Sequence, residues 1–410
     1  MKILLTSFWY MPMTGGIGTY LSNLKDGLKY LGHEVDIFGQ QSGVHGYYTL
    51  NDTSILPKQT VRQEVARAFN PYLRHFAPET PARIKVLEIN RYSFELAAAY
   101  FNLEQYDLIH CQDVISAQAL HRVKPASVPL ITTIHGCYTY ELYLTRVLTK
   151  KDLNWQYQAA QEFLGVTAST MTISPSHWLR NVMSEQFRVP KDRITVVPYG
   201  IDTRLFLNNM NKPATLSFPA GKRLIVCPAR LDPVKGHETL LQALAKLKWL
   251  RQDWVCLLLG DGSTRNKLEA LQQQLGLKRY VFFMGNRDDV PAIVSSADLI
   301  VLPSLQDNQP FAIMEAQIAG KPVVVSNAGG IPEMVKHGET GLMFPKGRSD
   351  VLANNLATLL NNPMLGVRLG EKSKYWAMKQ WSLNRMLRDT VAVYTMAMAQ
   401  SPNERTIDDS

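Results

Sequence analysis

Residues 303–326 read PSLQDNQPFAIMEAQIAGKPVVVS. The run DLIVLP that leads into this stretch, 298–303, is apolar and closes on a proline, as a buried strand would; PVVVS at 322–326 is a second such run. Between them, Asp307, Asn308, Gln309 and Pro310 make a loop, and FAIMEAQIAG makes a helix whose first turn suits Pro310, where a missing N–H costs nothing. Strand, loop, helix and strand in that order predict one turn of a parallel sheet. Asp307 and Glu315 stand eight residues apart across the loop and the start of the helix. Two carboxylates beside a helix N-terminus suit a ligand that carries hydroxyls next to a phosphate, because carboxylates accept from hydroxyls and the helix start offers free N–H donors. A helix cap at Asp307 and a first-turn acid at Glu315 explain the same residues structurally.

The alternation continues in both directions. Upstream, strands are predicted at 2–8, 34–38, 107–111, 130–134, 170–174 and 194–198, with a helix between the first two whose stripe is Ile17, Leu21, Leu24, Leu28 and Leu31. The polar stretch LNNMNKPATLSFPA, 207–220, breaks the pattern and reads as a linker. Strands resume at 223–228, 254–259, 281–284, 298–302 and 322–326, and helix 237–248 buries Leu240, Leu241, Leu244 and Leu247. The tail, 348–400, reads as helical, with Trp376, Trp381 and Tyr394, and SPNERTIDDS as a frayed end. The fold class is therefore α/β, two doubly wound domains at 1–206 and 207–384, each with a parallel sheet covered on both faces.

With 410 residues, 46% of them hydrophobic, the chain can build two separate cores. No apolar run approaches the ~20 residues that span a bilayer. The opening MKILLTSFWY reads as a first strand and is too short and poorly flanked for a secretory signal. Cys111, Cys137, Cys227 and Cys256 show no metal spacing, and the last two sit in strand patterns, so buried free thiols and a cytoplasmic location are expected. The formal charge of +9 suits an anionic partner. No nucleic-acid-binding module accompanies it, which leaves sugar-nucleotide phosphates or anionic lipids. Segment 58–91 carries seven basic residues against three acidic ones, interleaved with Phe69, Tyr72 and Phe76. A peripheral membrane contact and an ordinary solvated face are the two readings of it.

Several residues have the chemistry for phosphate and sugar. Gly15, Gly16 and Gly18, between the first strand and its helix, let backbone approach a phosphate. Asp36 follows Gly16 at the distance of a ribose-binding acid, so a dinucleotide-binding oxidoreductase is a rival reading. Against it, Leu21 stands where that fingerprint needs a small residue, and Asp36 lies inside a strand. Arg230 and Lys235 bracket the turn after strand 223–228, a fork of donors and a point charge suited to a diphosphate. His135 ends strand 130–134, at the pole where open α/β sheets bind ligands. Ser174 and Ser176 read equally as helix caps, and Gly260 and Gly262 as a tight turn. No spacing suggests a metal site; Asp288 and Asp289, followed by Pro291, read as a turn before a helix.

In combination these segments resemble the retaining nucleotide-sugar glycosyltransferases of family 4. The stretch 307–315 is similar to their E-x7-E signature with Asp as first acid, and GGIGTY, TIHG, ISPSHW, VVPYGID, ARLDPVKGHETLLQAL, LLLGDG and AGGIPEMVKHGETGLMFP follow in the family's order. The resemblance implies the GT-B fold, with an interdomain cleft and a closing helix, about 385–410, that returns to the first domain. It implies that Arg230 and Lys235 neutralise the leaving pyrophosphate, that Glu315 binds ribose hydroxyls, and that Asp307 and His135 meet the transferred sugar. Asp307 is one methylene shorter than the family's Glu, which puts its direct reach in question. Gly15, Gly16 and Gly18 would lie over the donor phosphates, the N–H groups of Phe311 and Ala312 would donate to the donor, and Asn286 and Arg287 would meet the base. The expected donor is a UDP-sugar, with GDP-mannose next. The expected acceptor is a cell-surface glycan, a lipid-linked glycan or a small molecule, with no metal or other cofactor and no nucleic acid. A non-catalytic nucleotide-sugar-binding scaffold is the other alternative.

Overall fold

The computed structural model describes residues 1–11, 15–40, 46–50, 55–150, 152–214 and 221–400. The predicted frayed end at 401–410 and the linker residues 215–220 lie outside the described residues. The chain divides into two compact units, Met1–Val197 with the chain from Met386 onward, and Pro198–Arg385.

The first unit holds an eight-stranded sheet. Its strands are β1 (Lys2–Tyr10), β2 (Glu34–Gln40), β3 (Gly46–Thr49), β4 (Ile55–Pro57), β5 (Leu108–Cys111), β6 (Leu130–Thr133), β7 (Met171–Ser174) and β8 (Ile194–Val196), in the order β4-β3-β2-β1-β5-β6-β7-β8. The six predicted strands are all present and pair in parallel. The sheet is nevertheless mixed, because β3 and β4 add to its edge antiparallel. Both are too short to display a period in the sequence. Helix Gly16–Tyr30 buries Tyr20, Leu21, Leu24 and Leu28; Leu31, predicted to extend the stripe, is instead the helix C-cap and half-exposed.

The second unit holds a six-stranded, all-parallel sheet: β9 (Arg223–Pro228), β10 (Trp254–Leu259), β11 (Val281–Gly285), β12 (Leu299–Leu302), β13 (Val323–Ser326) and β14 (Leu342–Phe344), ordered β11-β10-β9-β12-β13-β14. WVCLLL, LIVL and VVVS are buried throughout, as strands covered on both faces must be. Helix His237–Leu250 buries the four predicted leucines against them.

The boundary falls at 197/198 rather than 206/207. Tyr199, Ile201 and Phe206 are buried within the second unit, Ile201 N–H donates to Trp381 O at 2.9 Å, and helix Thr203–Met210 packs on helix Val290–Ser296. The start of the supposed linker is thus an ordered helix, opened by the Asp202 carboxylate accepting from Leu205 N–H at 2.9 Å. At the other end, helix Leu383–Gln400 joins the first unit from Met386, with Leu387 against Gly27 and Tyr394 fully buried.

Candidate active site

The second sheet reverses its winding between β9 and β12: the chain proceeds from β9 outward to β10 and β11, then returns to β12 on the other side. In doubly wound sheets the carboxyl ends at such a reversal open a crevice. Arg230 and Lys235 follow β9, and Asp307 follows β12, so all three stand at that point.

The two loops are fastened together by their backbones. Leu305 N–H donates to Val234 O at 2.7 Å, and a Cβ on Gly236, at φ 71°, would collide with Pro303 O. Glycine is required there both for the left-handed backbone and for the close approach. Lys235 Nζ consequently reaches Asp307 Oδ2 at 2.7 Å, and Ser304 Oγ donates to the same oxygen at 3.1 Å. From the other side, Gly329 and Gly330 lie against the carbonyls of Asp307 and Asn308, and Gly330 N–H donates to Asp307 O at 3.0 Å. Asp307 is therefore held by a cation and two glycines and caps no helix. Arg230, on the exposed lip, pairs with Asp232 at 2.9 Å.

Helix Phe311–Ile318 begins one residue later than predicted, with Pro310 at the N-cap in an extended conformation. Its first N–H groups, on Phe311 and Ala312, have no acceptor within the helix. Glu315 lies in the second turn and so is not a first-turn acid. Burial raises its carboxyl to about 7. The Tyr199 ring stacks on Phe311 at 5.4 Å, and Tyr199 N–H donates to Gln309 Oε1 at 2.6 Å. These contacts set the start of the helix, and nothing in the spacing of Tyr199 foretold them. Gly329 and Gly330 were legible as an adjacent pair after a strand, a common sign of close backbone approach.

Asn286 and Arg287 follow β11 at the same pole of the sheet; Arg287 grips Asp289 with two N–H groups, at 2.8 and 2.6 Å. Asp289 is the N-cap of helix Val290–Ser296, the predicted turn before a helix. A Cβ on Gly260 or Gly262 would meet Ala229 O or Leu231 O at 2.5 and 2.6 Å, so this turn packs against the Arg230 loop.

The remaining candidates belong to the first unit. Gly15, at φ 86°, precedes helix Gly16–Tyr30, with Gly16 and Gly18 in its first turn. His135 lies two residues past β6; its Nε2 meets Gln112 Oε1 at 3.2 Å and its ring packs edge-on against Tyr20. Burial lowers its imidazole to about 3, which keeps it neutral. Behind it, His110 is held between the hydroxyls of Tyr394 and Thr133, both at 2.7 Å. Ser176 caps helix His177–Phe187 through Leu179 N–H at 3.1 Å, and Ser174 Oγ donates to Ser176 O at 2.9 Å, so both serines have structural work. Asp36 is buried and accepts from Tyr106 Oη at 2.6 Å and Leu50 N–H at 2.9 Å, commitments that a ribose-binding acid could not keep. All four cysteines are free and buried. Among the described residues no cluster of three or more His, Cys, Asp or Glu is arranged to hold a metal ion, and no helix is long and apolar enough to cross a membrane.

Comparison with known proteins completes the assignment. Residues 14–205 match the family described as Glycosyltransferase Family 4, and residues 209–376 match Glycosyl transferases group 1. Together the two matches mark the chain as a family 4-type glycosyltransferase. An uncharacterized glycosyltransferase of Methanocaldococcus jannaschii is 27% identical over 97% of this chain and 99% of its own. An MMP alpha-(1->4)-mannosyltransferase of Mycolicibacterium hassiacum is 25% identical over 98% of this chain and 99% of its own. The crystal structure of Anabaena HepE in complex with UDP superposes with a TM-score of 0.67 at 20% identity, covering 97% of this chain and all of that one, 100%. The glycosyltransferase thus has the GT-B fold, two Rossmann-like α/β units.

Proposed function

We propose that this glycosyltransferase moves a hexosyl unit from a UDP-sugar to an acceptor hydroxyl with retention of anomeric configuration. The observation that carries the reading is the Lys235–Asp307 pair beside Arg230 at the winding reversal of the second sheet. Arg230 and Lys235 take the diphosphate, and the N–H groups of Phe311 and Ala312 donate to the donor. Glu315 accepts from ribose hydroxyls, Asp307 from a sugar hydroxyl, and the backbone at Asn286 and Arg287 meets the base. Roles for His135 and for Gly15, Gly16 and Gly18 at the sugar and phosphates rest on the family resemblance.

In the transfer, the bond from the anomeric carbon to the phosphate oxygen breaks, and the acceptor oxygen bonds to that carbon from the same face. The departing phosphate oxygen takes the acceptor's proton. Arg230 and Lys235 stabilise the charge that develops on the phosphate, an electrostatic contribution that no metal is needed to supply here. Replacing both by Ala should abolish transfer with the fold intact; undiminished turnover would refute their role.

A GDP-mannose donor is the second reading, favoured by the mannosyltransferase named above. Thermal shifts with UDP, GDP, ADP and their sugar conjugates separate the two, since a bound ligand stabilises according to its occupancy. No shift with any of them would remove the donor assignment. A scaffold without turnover would have little use for both phosphate cations, and the commitments of Asp36 count against a nicotinamide cofactor.

The acceptor is a cell-surface or lipid-linked glycan, approached from the cytoplasmic membrane face. Helix Lys58–Phe76 supports this: it buries only Val61 and Leu73, and exposes Arg62, Arg67 and Arg74 beside Tyr72 and Phe76. Cosedimentation with vesicles containing phosphatidylglycerol tests it; equal recovery with neutral vesicles would exclude a charge-driven contact, and a free small-molecule acceptor would then be favoured.

A further inference from the structure

Each candidate phosphate-binding cation already holds a carboxylate. Lys235 pairs with Asp307 and Arg230 with Asp232, so the four side-chain charges cancel. A nucleoside diphosphate brings more negative charge to this place and must draw a cation away from a carboxylate that competes for it.

The two pairs are built differently. Asp307 is anchored by Lys235, by Ser304 Oγ and by Asn308 N–H at 3.2 Å, with both side chains of the ion pair largely buried, at 19% and 12% exposure. The Arg230–Asp232 pair is the looser one, its guanidinium 61% and its carboxylate 22% exposed. Apart from Arg230, the Asp232 side chain has few partners, and its charge also acts on the buried His237 imidazole. Asp232 stands at the N-cap of the turn Pro233–Lys235 without making a side-chain cap bond, and its other contact is a long one from Ser263 Oγ, at 3.4 Å. An aspartate at an N-cap that caps nothing, turned instead onto an exposed arginine, points to a task outside the turn itself.

We propose that Asp232 is a competing counter-ion that sets how tightly and how long the nucleoside diphosphate is held. On binding, Arg230 exchanges the Asp232 carboxylate for phosphate oxygens; on release, Asp232 reclaims the guanidinium. Asp232 acts through Arg230 and touches no substrate, so it is a positioning residue. The inference rests on the reading that Arg230 holds the diphosphate.

The test measures binding and dissociation of UDP and, in parallel, GDP with the full chain, in wild type, D232N, R230Q and the double variant. D232N should bind the preferred nucleotide about fivefold tighter, the most that an exposed ion pair usually contributes. Its dissociation should slow in proportion, and the gain should shrink in 0.5 M salt (about the concentration that leaves exposed charges well screened). D232E, which keeps the charge, should return toward wild type, and the gain should vanish in the R230Q background. Equal or weaker binding by D232N while R230Q lowers affinity would overturn this inference alone. Unchanged binding by R230Q would overturn both it and the assignment of Arg230 to the diphosphate.

Discussion

Replacing Glu315 by Gln is expected to make the enzyme more stable and worse at its task. The Glu315 carboxyl is raised from 4.5 to about 7 by burial. Each tenfold change in proton affinity corresponds to about 1.4 kcal/mol, so ionising this group in the folded protein costs about 3 kcal/mol relative to the unfolded chain. The sign follows from proton counting. The folded state binds the proton more tightly, so the contribution to stability is best at low pH and is lost as pH rises from about 4.5 through 7. Roughly 2 kcal/mol of that loss falls between about pH 5.5 and 8.5. Urea unfolding of wild type and E315Q at those two pH values should show the variant gaining stability over wild type by about that amount at the higher pH. Calorimetric titration with the preferred nucleotide should show the opposite trend in function. In the proposed role, ribose hydroxyls donate to the ionised carboxylate, so wild-type affinity should rise as pH passes through 7, with proton release, whereas E315Q should bind more weakly. The nucleotide's own terminal phosphate titrates near about 6, and the E315Q titration subtracts that background. Parallel pH–stability profiles for the two proteins would refute the account of a carboxylate kept poised by burial for a ligand.

Three further outcomes are expected. Gly329→Ala places a Cβ against Asp307 O at a left-handed backbone position of φ 59°, and should lower the free energy of urea unfolding by about 1–3 kcal/mol and reduce transfer as well; an unaffected variant would show that Asp307 tolerates displacement. Tyr394→Phe leaves His110 without one of its two hydroxyl partners in a fully buried setting and should cost about 1–3 kcal/mol of stability, with nucleotide affinity unchanged. Asp36→Ala should likewise destabilise the chain, and neither it nor wild type should alter NADH fluorescence; quenching or enhancement by wild type would revive the dinucleotide reading.

Much of the fold was legible because strands covered on both faces must be apolar along their length. RLIVCP, WVCLLL and VVVS announce themselves, as does the stripe of Leu240, Leu241, Leu244 and Leu247. β3, β4 and β14 escape such a reading because GYYT, ILP and LMF have neither a clear alternation nor the apolar run of LIVL and VVVS. The polarity of 207–220 reads as a linker and puts the predicted boundary too late, while the residues that bind that region to the second unit, Tyr199 and Ile201, look unremarkable until their partners Phe311 and Trp381 are known. At the candidate site, residue types and their order were readable, and pairings were not. Nothing in the spacing of Lys235 and Asp307, or of Arg230 and Asp232, distinguishes an ion pair from two solvated charges, because the first pairing depends on how closely Gly236 lets two loops approach and the second on how one loop turns between its members.

The helix that ends the described chain has a consequence for biosynthesis. Gly27 and His110 wait for Leu387 and Tyr394, which are encoded only after the whole Pro198–Arg385 unit. A nascent chain can complete the Pro198–Arg385 unit while its first 197 residues still leave this apolar face bare, so the amino-terminal half is the later of the two to finish. Ribosome stalling, or proteolytic clipping near Arg385, would strand that half with an uncovered seam and make it a substrate for chaperones.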